Sequence, residues 1–400
     1  MKDFFKKAYQ STVHGIKHLG KTIKQSKGTP TFASALIAVG IGLLIGFLIL
    51  MLLDFRNSFY GMSNLLVAGF TEVDEFIKVL YRLGPLIMTG LSVGFAYKAG
   101  LFNIGATGQF TVGAFTSVFM AIVWGVPWWI ALLGAMVTGA LWGAIPGTLK
   151  AFLNVNEVIT TIMLNWAALF FVNLWFYNTA DIAATPERTR VISEVNPGGV
   201  LPTLGLDRVF DSYFFNLGFL IAIILAIGVW ILLEKTTFGF EVKASGANRH
   251  ASEYAGIKSK RIIVLTMVIA GALSGIGGGL NYLAGTVQYT VSTTQLIPTG
   301  FEGIPVALLA YANPLGIIAS GFLISYLKVG GQAMSPEFNA QSVDIILAVI
   351  IYFSAFALMV RGYVARILKQ KRDIELEPES NDKSLIGDDA EEPSDKEGDR

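Results

Sequence analysis

Residues Ala33–Leu53 read ASALIAVGIGLLIGFLILMLL, twenty-one positions without a charge. About 20 such residues carry a helix across the hydrocarbon core of a bilayer. In lipid each backbone N–H and C=O must be satisfied within the segment, so a block of this kind reads as helix rather than strand. The feature recurs along the chain. Apolar blocks lie at 33–53, 83–97, 101–124, 127–149, 157–177, 213–233, 262–285, 300–312, 314–328 and 342–360. Only 15% of the 400 residues are charged and 53% are apolar, whereas a soluble domain carries roughly a quarter charged residues. The expected fold class is an all-α integral membrane protein, a bundle of about ten transmembrane helices.

Lysine and arginine orient the bundle. With the N-terminus cytoplasmic, twenty basic residues fall on inner segments up to Arg372, among them Lys98, Lys150, six in the 234–261 loop and five at 361–372, against seven on outer segments. That bias follows the positive-inside rule. The region 300–328 is either one kinked span or two short ones around Asn313-Pro314. Two short ones keep Arg361–Arg372 inside, so ten spans with both termini cytoplasmic are expected. Pro305 and Pro314 interrupt this region, and broken helices at membrane depth are tolerated where they are buried or line a cavity.

The chain divides into three parts on this reading. Residues 1–31 form a basic cytoplasmic segment, with Phe5, Tyr9, Val13, Ile16 and Ile23 near helical spacing, suited to lie on the inner membrane surface. The polar stretch before the first block is too long for the n-region of a signal peptide, so that block is expected to be a retained anchor. Residues 32–368 form the membrane domain. Residues 369–400 form an acidic cytoplasmic tail; positions 373–400 hold twelve acidic and three basic residues and no aromatic, the composition of a disordered segment.

Several chemistries are excluded. There is no cysteine, and His14, His18 and His250 stand in charged segments, so no metal site is expected. Gly15–Thr22 matches the phosphate-loop pattern letter for letter, but no apolar strand precedes it, so its backbone N–H groups have nothing to aim them at a phosphate. Intramembrane charge is almost absent. Glu157 and Asp344 sit at span ends, and Glu302 opens a short apolar run. A proton or ion relay needs such groups in pairs or chains, which leaves an ion-coupled carrier or a channel as the weaker alternative. No catalytic residue and no cofactor is expected, and nothing points to nucleic acid.

The remaining signals are glycines and amides. Gly139, Gly143 and Gly147, and Gly271, Gly275 and Gly279, recur every four residues, the spacing of flat helix faces that approach closely in lipid. Phe102, Asn103 and Gln109 lie in a glycine-rich interruption, and Asn165-Trp166 lies inside a block. Amides beside aromatics bind a flat polar solute by hydrogen bonds and stacking, or else hydrogen-bond between helices; both readings stay open.

At the loop Gly239–Ile257 a family becomes visible. Gly239, Ala244, Gly246, Asn248, Ala251, Ala255, Gly256 and Ile257 resemble the coupling segment of ABC-importer membrane subunits of the branched-chain amino acid, simple-sugar and nucleoside type, with Ser252 where the family has alanine. Gly100–Gln109, Asn156–Asn165 and Gly300–Leu309 with Asn313–Gly316 are similar to further elements of that family, and Asn156–Asn165 is most like its nucleoside branch. The resemblance implies a permease subunit of an ATP-driven importer, for nucleosides or alternatively for a pentose or hexose. It implies cytoplasmic ATP-binding subunits that carry the hydrolysis, a second permease subunit in a heterodimer, an extracytoplasmic solute-binding lipoprotein, and a place in the lipid of the cell membrane. Coupling to the ATPase would fall on Glu241, Asn248, Arg249, Ala255 and Gly256. The substrate pathway would fall on Phe102, Asn103, Gln109, Asn165, Trp166 and Glu302.

Overall fold

A computed structural model describes residues 29–335 and 337–355. The chain divides into two compact units. One joins Met1–Ser34 with Met359–Arg400, and the basic segment and acidic tail expected there lie almost wholly outside the described residues. The other, Ala35–Leu358, is described below.

Each apolar block holds a helix: α1 (Thr29–Leu53), α3 (Val73–Lys98), α4 (Ala106–Ile122), α5 (Trp128–Leu153), α6 (Glu157–Tyr177), α9 (Gly218–Lys235), α12 (Ser259–Tyr282), α13 (Pro298–Leu309), α14 (Pro314–Gln332) and α15 (Ala340–Ala355). Among the described residues six are long and apolar enough to cross a membrane: α3, α5, α6, α9, α12 and α14. Shorter helices fill the connections: α2 (Ser58–Thr71), α7 (Ile192–Val195), α8 (Leu206–Phe210), α10 (Thr237–Ala247) and α11 (Arg249–Tyr254). A two-stranded antiparallel ribbon, β1 (Ala183–Thr185) with β2 (Arg188–Thr189), adds a little sheet to the otherwise helical fold.

Among the boundaries that differ from the apolar pattern, two have a plain local reason. Helix α3 starts ten residues before its apolar run. Asp74 and Glu75 sit in its first turn and pair with Lys78 at 2.9 and 2.7 Å, so the helix dipole and i,i+3/i+4 pairs extend it past the apolar residues. Helix α4 starts five residues late, because Leu101–Gly105 is a loop. Elsewhere the punctuation is as its chemistry demands. Asn156 caps α6 by accepting from Val158 N at 2.9 Å, and Asn313 caps α14 by accepting from Leu315 N at 3.0 Å ahead of Pro314.

Helices α3, α4 and α12 are the most enclosed, and α12 packs against α3, α4 and α5. Its glycines explain how. A Cβ on Gly139 would fall on the carbonyl oxygen of Gly271, one on Gly271 on that of Gly139, one on Gly143 on that of Met267, and one on Gly275 on that of Ala135. The two glycine faces therefore pack on each other, backbone to backbone. This is the close approach that small residues permit where no hydrophobic effect drives helices together. The run Gly277–Gly279 turns one glycine to each neighbour: Gly277 to Met88 of α3, Gly278 to Phe110 and Ala114 of α4, Gly279 to Leu132 of α5.

Hydrogen bonds sort the connections into two ends. At one end Asn196 Nδ2 donates to the carbonyls of Ala121 and Val126, Asn173 Nδ2 donates to Ser292 O at 2.8 Å, and Tyr81 OH donates to Asn281 O at 3.0 Å. At the other, Lys98 Nζ donates to Tyr311 O at 3.2 Å and Lys150 pairs with Glu157 at 2.8 Å. Each of these contacts joins segments that the charge bias assigns to the same side of the membrane.

Candidate functional site

Three sequence elements that lie far apart in the chain meet at the start of α4. The loop Leu101–Gly105 lets the chain enter α4 from an irregular turn. Asn103 Nδ2 then donates to Ser92 Oγ of α3 at 3.0 Å and to Gln109 Oε1 at 2.9 Å, while Gln109 Nε2 donates back to Asn103 Oδ1 at 3.3 Å. From α6, Asn165 Oδ1 accepts from Gly108 N at 2.8 Å and Asn165 Nδ2 donates to Ile104 O at 3.1 Å. Gly108 is needed for this approach, since a Cβ there would lie 2.9 Å from Asn165 Oδ1. All three amides are buried. In this conformation they join helices α3, α4 and α6 and serve the orphan backbone groups at the start of α4.

The third element is α13. With twelve residues it is about 18 Å long, short of the roughly 30 Å core of a bilayer. Its first turn packs on α4, where a Cβ on Gly300 would meet Thr107 at its Cα and, at 2.5 Å, its Oγ1. Gly303 packs equally closely on Thr89 of α3. Thr107 Oγ1 is buried at this junction and finds no hydrogen-bond partner among the described residues. Reasoning from sequence passed over Thr107; its place between Gly105 and Gln109 in the glycine-rich stretch was the available signal.

Glu302 and Trp166 stand apart from this junction. Glu302 on α13 pairs with Lys328 of α14, both half-buried. Beside the pair lies a cavity of about 340 Å³ whose polar lining is Arg82, Lys328, Gln332, Ser335 and Asp344. Trp166 follows Asn165 by one residue and so points to another face, where it is half-exposed and stacks on Phe170. Ile159, Met163, Trp166, Phe170, Leu174 and Tyr177 make an exposed stripe along α6. Phe102 lies partly buried in the loop before α4.

The contrast is testable. Asn165→Leu strands Gly108 N–H and Ile104 C=O inside the bundle, a loss of about 2–3 kcal/mol, and is expected to lower the thermal midpoint of the purified protein by several degrees. Trp166→Leu is expected to leave it within a degree. Equal midpoints for the two variants would remove the structural role of Asn165.

The Gly239–Ile257 motif resolves into two short helices. Thr236 accepts from Gly239 N at 3.1 Å and starts α10. Gly239 lies so close under α9 that a Cβ would strike the carbonyls of Leu232 and Leu233, and Gly246 lies so close to Lys98–Gly100 that a Cβ would strike Lys98 O. Asn248 separates the two helices and caps α11, accepting from Ala251 N at 3.0 Å. Arg249 pairs with Glu253 one turn on, at 3.3 Å. Ala255 ends α11, and Gly256 follows at φ +87°, open backbone that L side chains rarely adopt. Glu241 is half-exposed on α10. Two aromatics not singled out from the sequence are the most exposed large apolar side chains here, Phe240 at 67% and Tyr254 at 94%.

Residues 76–355 match the family described as branched-chain amino acid transport system / permease component. The chain belongs to this permease family. It is similar to the nucleoside ABC transporter permease protein NupB of Lactococcus lactis subsp. cremoris, 37% identical over 81% of this chain and 91% of the relative. It is similar to the guanosine ABC transporter permease protein NupP of Bacillus subtilis, 35% identical over 84% and 96%, and to the glucose ABC transporter permease protein TsgB13 of Haloferax volcanii, 29% identical over 78% and 84%. No solved structure matches. The permease is thus a multi-pass membrane protein.

Proposed function

We propose that this permease is one of two membrane subunits of an ATP-driven nucleoside importer, with ATP hydrolysis on separate cytoplasmic subunits and delivery by an extracytoplasmic binding lipoprotein. The observation that carries the reading is the likeness to NupB and NupP across nine-tenths or more of their length. Glucose transport by TsgB13 keeps a sugar as the second reading. Ten spans with both cytoplasmic termini are supported by the charge bias and by the same-side contacts at each end of the bundle.

The coupling role falls on α10 and α11. Glu241, Arg249, Phe240 and Tyr254 present the surface that an ATPase would grip, and Asn248, Ala255 and Gly256 give α11 its ends. Gly246 carries displacement of α10 directly to the backbone at Lys98–Gly100. From there two routes lead inward: the loop holding Phe102 and Asn103, and the Lys98 ammonium that holds the inner tip of α13. The far end of α13 carries Glu302 and rests on Thr107. Movement of α13 would open the amide junction of Asn103, Gln109 and Asn165, whose donors and acceptors match a nucleobase edge. The exposed stripe with Trp166 on α6 is the surface that a second, different permease subunit would face, and there Trp166 would line the pathway.

The experiment is uptake by the complete reconstituted transporter. Labelled nucleoside is expected to accumulate and to be competed by unlabelled nucleosides but not by pentoses or glucose. The double variant Asn248→Ala, Gly256→Val should insert normally yet lose transport-stimulated ATP hydrolysis. Removing the cap alone costs α11 about 1 kcal/mol. Unchanged stimulation would sink the loop assignment, and competition by sugar alone would sink the cargo.

A further inference from the structure

We propose that the seam between α5 and α12 holds one anionic phospholipid of the inner leaflet. Two clefts lie along it. The first, about 740 Å³, opens at the end where α12 begins; its rim carries Lys258, Lys260 and Arg261, and its wall is Phe152, Val264 and Leu265. The Lys260 ammonium stands 5.6 Å from the centre of the Phe152 ring. The second, about 220 Å³, is apolar throughout and is lined by Val137, Ala140, Leu141 and Ala144 of α5 with Val268 and Ala272 of α12.

Helical spacing aligns the two clefts. Val137, Leu141, Ala144 and Phe152 fall on one stripe of α5, and Leu265, Val268 and Ala272 on one stripe of α12. From Val137 to Phe152 the groove runs about 22 Å, enough to take an acyl chain through one leaflet, whose half of the hydrocarbon core is about 15 Å. The groove exists because the glycine faces of α5 and α12 bring the helices so close that small residues line its edge.

The charge is complementary to a phosphate. Three cations line the rim, α12 has no acidic residue in its first turn, and Glu253 at the rim is held by Arg249. A cytosolic protein could reach the cations but not the apolar stretch from Ala140 to Ala272, which lies within the span of both helices. A lipid with an anionic headgroup reaches both. Basic residues at the cytoplasmic surface attract such lipids.

The inference uses the orientation proposed above, which a reporter fused after Lys235, ahead of α12, checks separately. An external reading there would move the site to the outer leaflet without altering lipid retention. The test is native mass spectrometry of the complete transporter, purified and then given phosphatidylglycerol or phosphatidylcholine. One phosphatidylglycerol should be retained at this subunit in preference to phosphatidylcholine by about tenfold or more. The triple variant Lys258→Gln, Lys260→Gln, Arg261→Gln should lose that preference. Ala144→Phe, which fills the groove and leaves the cations, should lower retention of both lipids. Equal retention of the two lipids by the unaltered protein would overturn the proposal. So would loss of the ATPase from the triple variant with phosphatidylglycerol still held, which would assign the cationic rim to the ATPase.

Discussion

Gly271→Val should leave almost no folded permease to purify. A Cβ at this position falls on the carbonyl oxygen of Gly139 and lies 3.0 Å from Gly143 Cα. Both obstacles are backbone, so no side chain can swing aside, and α12 would have to leave α5. Overpacking a well-packed interior costs about 1–3 kcal/mol and occasionally more; here the obstruction is helix backbone along an interface four glycines long, so the upper end is expected. Gly275 is equally constrained by Ala135 and Gly139. Gly228 on α9 is the control. Nothing lies within 4 Å of its Cβ direction, so Gly228→Ala should be neutral or stabilise by up to about 1 kcal/mol. Thermal midpoints and protease resistance of the purified variants measure the difference. A Gly271→Val protein as stable as Gly228→Ala would mean that the glycine faces do not meet.

Lys98→Met is expected to insert and fold, to retain basal ATP hydrolysis with its partners, and to lose most transport. The Lys98 ammonium donates to Tyr311 O at 3.2 Å, at the tip where α13 ends. Tyr311 and Ala312 both have left-handed backbone, φ 54° and 52°, although neither is glycine. Such residues each cost about 1–3 kcal/mol and persist where their surroundings hold them. Ala312 N donates to Ala307 O at 2.8 Å, and Lys98 supplies a charged hold from α3. A hydrogen bond to a charged group contributes about 1.5–3 kcal/mol, so its loss corresponds to about ten- to a hundred-fold in the coupled equilibrium. Nucleoside uptake per ATP hydrolysed reads this directly. Lys98→Arg should restore part of it, because the donor is kept, whereas a change that only softened the fold would not distinguish Met from Arg. Full uptake in Lys98→Met would break the link from α10 to α13.

Much of the architecture was legible in local chemistry. Blocks of uncharged apolar residues specify where helices lie, because lipid offers the backbone no other partner. Asn313-Pro314 marked the break between two short helices because the residue before a proline is pushed out of the helical region, while the caps at Asn156 and Gly256 were local signals left unread. The glycine spacing announced close approach without naming the partner. That the faces of α5 and α12 meet each other, more than a hundred residues apart, follows from packing alone. The start of α3 was missed because Asp74, Glu75 and Lys78 look like a loop by hydropathy, yet stabilise a helix through pairs one turn apart.

The candidate site divides the same way. The residue types and the four family elements were readable in order along the chain, and with them the permease family. Only the folded chain decided that Asn165 turns inward to Gly108 while Trp166 turns outward, because successive residues on a helix point about 100° apart. Only it decided that Glu302 finds Lys328, twenty-six residues on, and that Gly246 touches the turn carrying Lys98. Sequence by itself determined the solvent this protein is built for and the class of machine it joins, since hydropathy, charge bias and caps act over a few residues. Tertiary structure alone decided that Gly246 meets the turn at Lys98–Gly100 and that Lys98 meets Tyr311, since segments more than a hundred positions apart must come within a carbonyl's reach of one another.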